Sequence, residues 1–394
     1  MRFGKYSFII LIFMLNSCHK ETEEIIAQAT VPSVALAPTE ATPESTHDAA
    51  TIQAILWVST MQDNNGLFES SEYSNSVSLY DNALAILLFT AQNDFEKAER
   101  TLDYFNAKVT TELEHEKGGF YQFRNKQGEN ARRTWLGDNA WLLIAINNYH
   151  HHAKNQKYKV MAAALTKWII SLQDSDGGLW GGYDTDGSRI HKITEGIITA
   201  FNAVEGYDTF HKNILEYLNI NRWDATDNVL IAWPENPTYN YALDLHTLGY
   251  GILEDYNTTV LENAARYTTT QTATISLNTI TGYCFDEDKD VIWLEGTAQM
   301  AVAFSTAKKT TESQMLLAEI EKSFISSNLN GNAKGIPYTT NHGTSYGAGI
   351  LWDNADLTPA LSATIWYIFA KQDFNPFTIQ KSKNVPHEER FWLK

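Results

Sequence analysis

Residues 79–105 read Leu79-Tyr80-Asp81-Asn82-Ala83-Leu84-Ala85-Ile86-Leu87-Leu88-Phe89-Thr90-Ala91, then Gln92-Asn93-Asp94, then Phe95-Glu96-Lys97-Ala98-Glu99-Arg100-Thr101-Leu102-Asp103-Tyr104-Phe105. The first run is apolar nearly all round and rich in small side chains, the signature of a helix enclosed by protein on every side. The second is amphipathic, with apolar residues at helical spacing and charges between them. A buried helix and a half-buried one joined by a short turn make a hairpin, and the same alternation recurs along the chain. Helical periodicity predicts helices near 52–62, 79–92, 94–109, 137–152, 156–173, 194–205, 208–221, 241–255, 257–272, 291–307, 311–327 and 358–371. The even-numbered ones are the more apolar, as in Ala140-Trp141-Leu142-Leu143-Ile144-Ala145 and Ala298-Gln299-Met300-Ala301-Val302-Ala303. Six inner and six outer helices predict an all-α fold, an (α/α)6 toroid over 51–375, followed by a C-terminal tail over 376–394.

Composition agrees with a large packed domain. The 394 residues are 43% hydrophobic and 12% aromatic, and 47 acidic against 30 basic side chains give a net charge of −17. So acidic a chain is a poor partner for nucleic acid. Two cysteines, Cys18 and Cys284, cannot build a disulfide framework, and neither a P-loop nor a Gly-x-Ser-x-Gly elbow is present.

The N-terminus carries an address. Arg2 and Lys5 precede an apolar run from Phe8 to Leu15, short of the roughly 20 residues that cross a bilayer. Leu15-Asn16-Ser17-Cys18 resembles the lipobox of bacterial lipoproteins, which implies a signal peptide over 1–17 and acylation of Cys18. His19 in place of aspartate implies an outer-membrane destination, and the run Lys20-Glu21-Thr22-Glu23-Glu24 resembles the export signal of Bacteroidetes surface lipoproteins. The Thr-, Ala-, Pro- and Glu-rich stretch over 18–50 reads as a disordered tether. The expected location is the outer membrane or cell surface, lipid-anchored, with the protein a monomer.

An internal repeat locates the candidate site. Asp81-Asn82-Ala83, Asp138-Asn139-Ala140 and Asp353-Asn354-Ala355 each fall at or just before the start of an inner helix. Asp81, Asp138, Glu195, Asp244 and Glu295 succeed one another by 57, 57, 49 and 51 residues, about one hairpin apart. Each acid alone suits a helix N-terminus, where it satisfies free N–H groups and complements the dipole. In a toroid the inner helices point the same way, so all five converge on one rim. The loops leading to that rim carry glycines beside aromatics, among them Gly118-Gly119-Phe120-Tyr121 and Gly177-Gly178-Leu179-Trp180-Gly181-Gly182-Tyr183. Trp135, Trp180, Tyr183, Trp233, Trp293 and Trp352 lie in or beside such loops. Flat rings stack on the C–H faces of sugars while carboxylates accept their hydroxyls, so the expected ligand is a glycan.

Trp135-Leu136-Gly137-Asp138-Asn139-Ala140-Trp141, Lys157-Tyr158, Trp168, Gly177-Gly178-Leu179-Trp180 and Lys192-Ile193-Thr194-Glu195-Gly196 together resemble the central hairpins of the six-hairpin glycosidases. Their order is similar to that in glycoside hydrolase family 76, and the Asp81/Asp138 pair resembles families 88 and 105. The resemblance implies a glycoside hydrolase working with a carboxylate acid/base pair. It places a functional acid at Asp138; where family 76 has a second adjacent aspartate, this chain has Asn139.

Asp138, where both resemblances imply a functional acid, is the first catalytic candidate, with Glu295 and Asp81 beside it, Glu295 as an acid whose pKa apolar neighbours would raise. Glu195, Asp244, His246, Trp135, Trp180, Tyr183, Trp293 and Trp352 are the candidate substrate contacts. No cofactor and no metal are expected. Asp184-Thr185-Asp186-Gly187-Ser188 has calcium-loop spacing but Arg189 where the loop needs glycine, and consecutive His150-His151-His152 cannot share a metal on a regular helix. Two further classes fit the same toroid: a sugar epimerase using His246 beside Asp244, which a second histidine at the rim would favour, and a non-catalytic glycan-binding lipoprotein.

The lipobox reading has a direct test. Cys18→Ser should move the protein from the membrane fraction to the soluble one, since an acyl chain supplies the attachment; unchanged partitioning in detergent-free fractionation would contradict lipidation.

Overall fold

The computed structural model describes residues 47–236, 240–346 and 349–394. Cys18, the signal over 1–17 and nearly all of the 18–50 tether lie outside these residues. A single compact unit spans Ala49–Lys394.

Six inner helices form a closed ring: α2 (Leu79–Ala91), α4 (Leu136–Ala153), α6 (Thr194–Ala203), α8 (Asp244–Ile252), α10 (Leu294–Thr306) and α12 (Leu361–Lys371). Each packs on the next, and α12 returns to α2. Around them lie α1 (Ala49–Thr60), α3 (Phe95–Asn106), α5 (Lys159–Ser171), α7 (Thr209–Asn221), α9 (Thr259–Asn263) and α11 (Thr310–Glu321). The fold is an (α/α)6 toroid. Burial follows the sequence pattern closely: every residue from Leu294 to Phe304 of α10 is buried, as is every one from Leu361 to Ala370 of α12. On α3 only Ala98, Thr101, Leu102 and Phe105 are buried, one stripe at i, i+3, i+4 and i+7.

One predicted helix is corrected. Over 257–272 the chain forms α9, a 3-10 turn over Ala264–Tyr267, and then a strand, β7 (Thr268–Thr272), paired antiparallel with β8 (Thr279–Tyr283). Consecutive Thr268, Thr269 and Thr270 are β-branched, and a cross-strand partner outweighs their weak helical periodicity.

The Asp-Asn-Ala repeat has a structural meaning at two of its three sites. Asn82 Nδ2 donates to Phe68 O (3.1 Å) and Ser78 O (2.8 Å), and Phe68 N donates to Asn82 Oδ1 (3.0 Å). Asn139 repeats this one hairpin later, with Nδ2 to Phe120 O (3.0 Å) and Trp135 O (2.9 Å) and Phe120 N to Oδ1 (2.8 Å). The amide thus pins the preceding loop against the start of the inner helix, and with it fixes where the neighbouring aspartate stands. Asp353-Asn354 does not share this role. It is exposed in a turn, and α12 begins only at Leu361.

The segment expected as a tail packs against the far end of the ring. Phe377 lies 5.0 Å from the Trp141 ring, Asn148 and Asn202 donate to Pro376 O and Phe377 O, and Lys381 Nζ donates to Tyr250 O. Phe391 and Trp392 are buried. Lys383 Nζ donates to Val204 O, a carbonyl just past the end of α6, where a cation suits the helix dipole.

Because Asn139 is fully enclosed and supplies both donors and an acceptor, Asn139→Ala should destabilise the protein by about 3 kcal/mol in urea unfolding. The cost comes from leaving the Phe120 N–H buried without a partner.

Candidate active site

The first turns of the inner helices converge as the sequence predicted. Tyr80 and Asp81 enter from α2, Asp138 from α4, Glu195 from α6, Asp244 from α8 and Glu295 from α10; the sixth helix, α12, contributes Ser362 instead of an acid. Contacts across the ring tie them together. Tyr80 on α2 donates its hydroxyl to Glu295 Oε1 on α10 (2.7 Å), and Ser362 on α12 donates to Glu295 Oε2 (2.5 Å). Tyr338, from the loop before α12, donates to Asp81 Oδ2 (3.3 Å).

The five acids fall into two groups by what holds them. Glu295 is tethered at both oxygens, with Gln299 Nε2 adding a third donor to Oε1 (3.2 Å). Gln299 is in turn fixed by Thr247 Oγ1 (3.0 Å). Glu195 is held by the indole N–H groups of Trp135 and Trp141 and by Thr199. The space beside it depends on Gly137, where a Cβ would stand 2.6 Å from Glu195 Oε2. The aspartates are different. Asp81 Oδ1, Asp138 Oδ2 and Asp244 Oδ1 are buried and accept no hydrogen bond from any described residue. A buried, unsatisfied carboxylate oxygen is costly in a fold and cheap to keep only where a ligand supplies its partner. Asp81 lies deepest at 1% exposure and Asp138 stands nearer the surface at 8%.

Desolvation dominates the electrostatics. It pushes Asp81, Glu195 and Asp244 each up to about 7, and raises Asp138 and Glu295 above the usual carboxylate range. Neighbouring acids reinforce the shift, Glu195 acting on Asp138 and on Asp244. Polar neighbours temper it, Ser70 and Tyr338 at Asp81 and Gln122 at Asp138. The chief opposing cation is Arg133, which stacks on Trp135 at 5.0 Å and pulls Asp138 back down. Each shift favours the protonated form relative to a carboxyl in water.

The aromatics frame two sides. Trp352 is stacked on Trp293 (5.1 Å, 13°) and lies nearly parallel to Tyr338 (6.5 Å, 16°), with Phe285 edge-on to both tryptophans. Trp293 directly precedes α10, and its Nε1 is buried without a described partner. On the other side β3 (Thr134–Trp135) pairs with β4 (Gly182–Tyr183), bringing Trp135 and Tyr183 onto neighbouring strands. Lys117 lies over Tyr183, and Arg189 and Lys192 lie over Trp180. Trp233 packs on His191 at 5.0 Å.

His246 is the sequence candidate that does not reach the mouth. It is fully buried, with Nδ1 against Val260 O (2.7 Å) and Nε2 against Tyr267 Oη (3.3 Å). Two residues beyond Asp244 on a helix point about 200° away from it, so the ring faces α9 and the 3-10 turn. Asp184 to Ser188 forms an exposed turn closed by Asp184 N to Ser188 O (2.9 Å). Among the described residues, the group whose metal-type ligand atoms approach within 4.8 Å of one another is Cys284, Asp288 and Asp290, in the loop before α10. Sequence reading did not single out Tyr80 or Ser362, whereas Tyr338 belongs to a glycine-aromatic loop, Gly335-Ile336-Pro337-Tyr338, of the kind expected at the rim. Tyr80 was legible as the neighbour of Asp81, whereas Ser362 carries no signal at all.

Stability should report the buried carboxyl of Asp81. Its pKa rises from 3.8 to about 7 on folding, so its favourable contribution is complete below about pH 4 and is lost as the pH rises through 7. Asp81→Asn removes this dependence and keeps an acceptor for Tyr338. The variant should therefore gain roughly 2–4 kcal/mol on the parent between pH 4 and pH 8, measured by chemical denaturation at both pH values; a constant difference would contradict the shift.

The same fold occurs in solved structures of low sequence similarity. A sugar epimerase from a ruminal bacterium superposes with a TM-score of 0.57 at 12% identity, over 82% of this chain and 97% of that one. A glycosidase variant in complex with glucose gives 0.56 at 11% identity over 85% and 99%. Cellobiose 2-epimerase from Bacillus thermoamylovorans gives 0.52 at 13% over 82% and 98%. No family model matches the chain, and no curated protein matches it. At such identities the likeness establishes the six-hairpin (α/α)6 toroid and nothing finer.

Proposed function

We propose that this protein is a glycoside hydrolase acting on a polysaccharide or oligosaccharide. The observation that carries the reading is the enclosed, unpartnered oxygen of Asp138 at the mouth of the ring, on a carboxyl whose pKa burial raises. Glycoside cleavage needs one carboxylic acid to protonate the departing oxygen and a second carboxylate to assist attack at the anomeric carbon. Asp138 takes the first part. The second belongs to the side of the ring where Asp81 and Glu295 lie, close enough for the Glu295 charge to act on Asp81. In this reading Asp244 receives sugar hydroxyls at its open oxygen and Glu195 at whatever acceptor positions Trp135, Trp141 and Thr199 leave it, and Trp135, Trp180, Tyr183, Trp293 and Trp352 line the path of the chain.

The histidine that an epimerase would use beside Asp244, His246, faces the opposite way, and the histidine among the framing aromatics, His191, is stacked on Trp233. Hydrolysis is favoured by a mouth whose titratable groups on the inner helices are chiefly carboxyls. The structural neighbours include both kinds of enzyme and support a carbohydrate substrate without choosing between the reactions. The Cys18 lipobox supports a site of action at the outer membrane or cell surface, with a glycan as the partner.

Release of reducing ends from a panel of glycans tests the proposal. Asp138→Asn should lower turnover at least roughly 100-fold while its melting temperature stays within a few degrees of the parent. Near-normal turnover by this variant would remove Asp138 from the mechanism. Interconversion of free sugars without chain cleavage would replace hydrolysis by epimerisation.

A further inference from the structure

A tyrosine in this mouth carries the hydrogen-bond partners of an activated nucleophile. Donors from Tyr80 and Gln299 on Oε1 and from Ser362 on Oε2 take up three of the roughly four acceptor positions of Glu295. Tyr80 is half-buried and adjacent in sequence to Asp81. Its hydroxyl donates to Glu295 Oε1 at 2.7 Å and accepts from Trp366 Nε1 at 2.8 Å. A phenol oxygen has one proton and two acceptor positions. The proton is committed to Glu295 and one acceptor position to Trp366, which leaves one lone pair of fixed direction. The ring itself is locked edge-on to Trp141 (5.3 Å), one turn along α4 from Asp138. That places the phenol oxygen and the Asp138 carboxyl on neighbouring inner helices of the same mouth.

We propose that Tyr80 is the covalent nucleophile of the hydrolysis, with Glu295 as its general base. The inference rests on the hydrolase reading above. In the first step Tyr80 Oη bonds to the anomeric carbon as its proton passes to Glu295 Oε1, and the bond to the leaving sugar breaks as its oxygen takes the Asp138 proton. In the second step water attacks the same carbon and gives a proton to Asp138. The bond to Tyr80 breaks, and the phenol oxygen recovers its proton from Glu295. The Trp366 N–H stabilises the charge on that oxygen as it departs. Nucleophile, base and orienting group stand in a hydrogen-bonded line, the arrangement that activates weak oxygen nucleophiles generally. Burial and the Glu295 charge hold the phenol proton in place at rest, so the nucleophile forms only as the proton transfers.

The experiment uses the parent protein with the 2-deoxy-2-fluoro glycosyl fluoride of whichever sugar the glycan panel shows it to release, followed by peptide mass mapping. The expected result is one fluorosugar on the peptide that carries Tyr80, with retention of anomeric configuration in the normal product. An adduct on an aspartate or glutamate, or a product of inverted configuration, overturns the assignment while leaving hydrolysis intact. A parent protein that releases no sugar from any glycan overturns the hydrolase reading and this one with it. Tyr80→Phe, checked for folding by circular dichroism, should lose at least about 1,000-fold in turnover; retention of a tenth or more of the parent rate contradicts a nucleophilic role. The adduct on the parent protein decides the matter even where the variant does not fold.

Discussion

Everything at the mouth of this toroid depends on six buried helices presenting their N-terminal ends to one small space. Each end carries unsatisfied N–H groups and a partial positive charge, and together these offset part of the charge of five acids that face few cations. The offset is incomplete. Burial still raises all five carboxyl pKa values, and Arg133 beside Asp138 is the cation that most opposes it. The mouth is thus a place where burial shifts carboxyl groups toward their protonated forms.

Within that space the protein distinguishes acids it uses as fixtures from acids it leaves open. Glu295 and Glu195 are longer by one methylene, reach across to neighbouring helices and are caught there by hydroxyl, amide and indole donors. Asp81, Asp138 and Asp244 each have one oxygen without a donor among the described residues. The sixth helix completes the ring with Ser362, which spends its hydroxyl on Glu295.

The frame that keeps these groups in position is polar at both ends. At the mouth, Asn82 and Asn139 clamp the preceding loops to the helices that follow them. At the far end, Asn148, Asn202 and Lys381 anchor the C-terminal segment, and Phe377 packs against Trp141. Trp141 also touches Tyr80 and Trp366. One aromatic column therefore joins the C-terminal segment to the candidate nucleophile.

The fold was legible in the sequence because helical burial is a local, periodic property. A helix enclosed on all sides must be apolar all round, as 83–88 and 298–303 are, and one with a wet face must not be, as 95–102 is not. The convergence of Asp81, Asp138, Glu195, Asp244 and Glu295 was legible for the same reason, since repeat spacing and helix direction fix which end each acid occupies. Where a local preference was weak, the reading went astray: the threonines at 268–270 took a strand partner that lies further along the chain, over Thr279–Tyr283. What sequence spacing could not supply was orientation between elements. That His246 turns its back on the mouth, that Glu295 is tied at both oxygens, and that Tyr80 stands between Glu295 and Trp366 are facts about side chains 14 to 286 residues apart meeting at particular angles. The sequence alone determined the toroid and the rim; only the tertiary structure decided which rim groups are held and which are free, because hydrogen bonding depends on distances of a few tenths of an ångström that no repeat encodes.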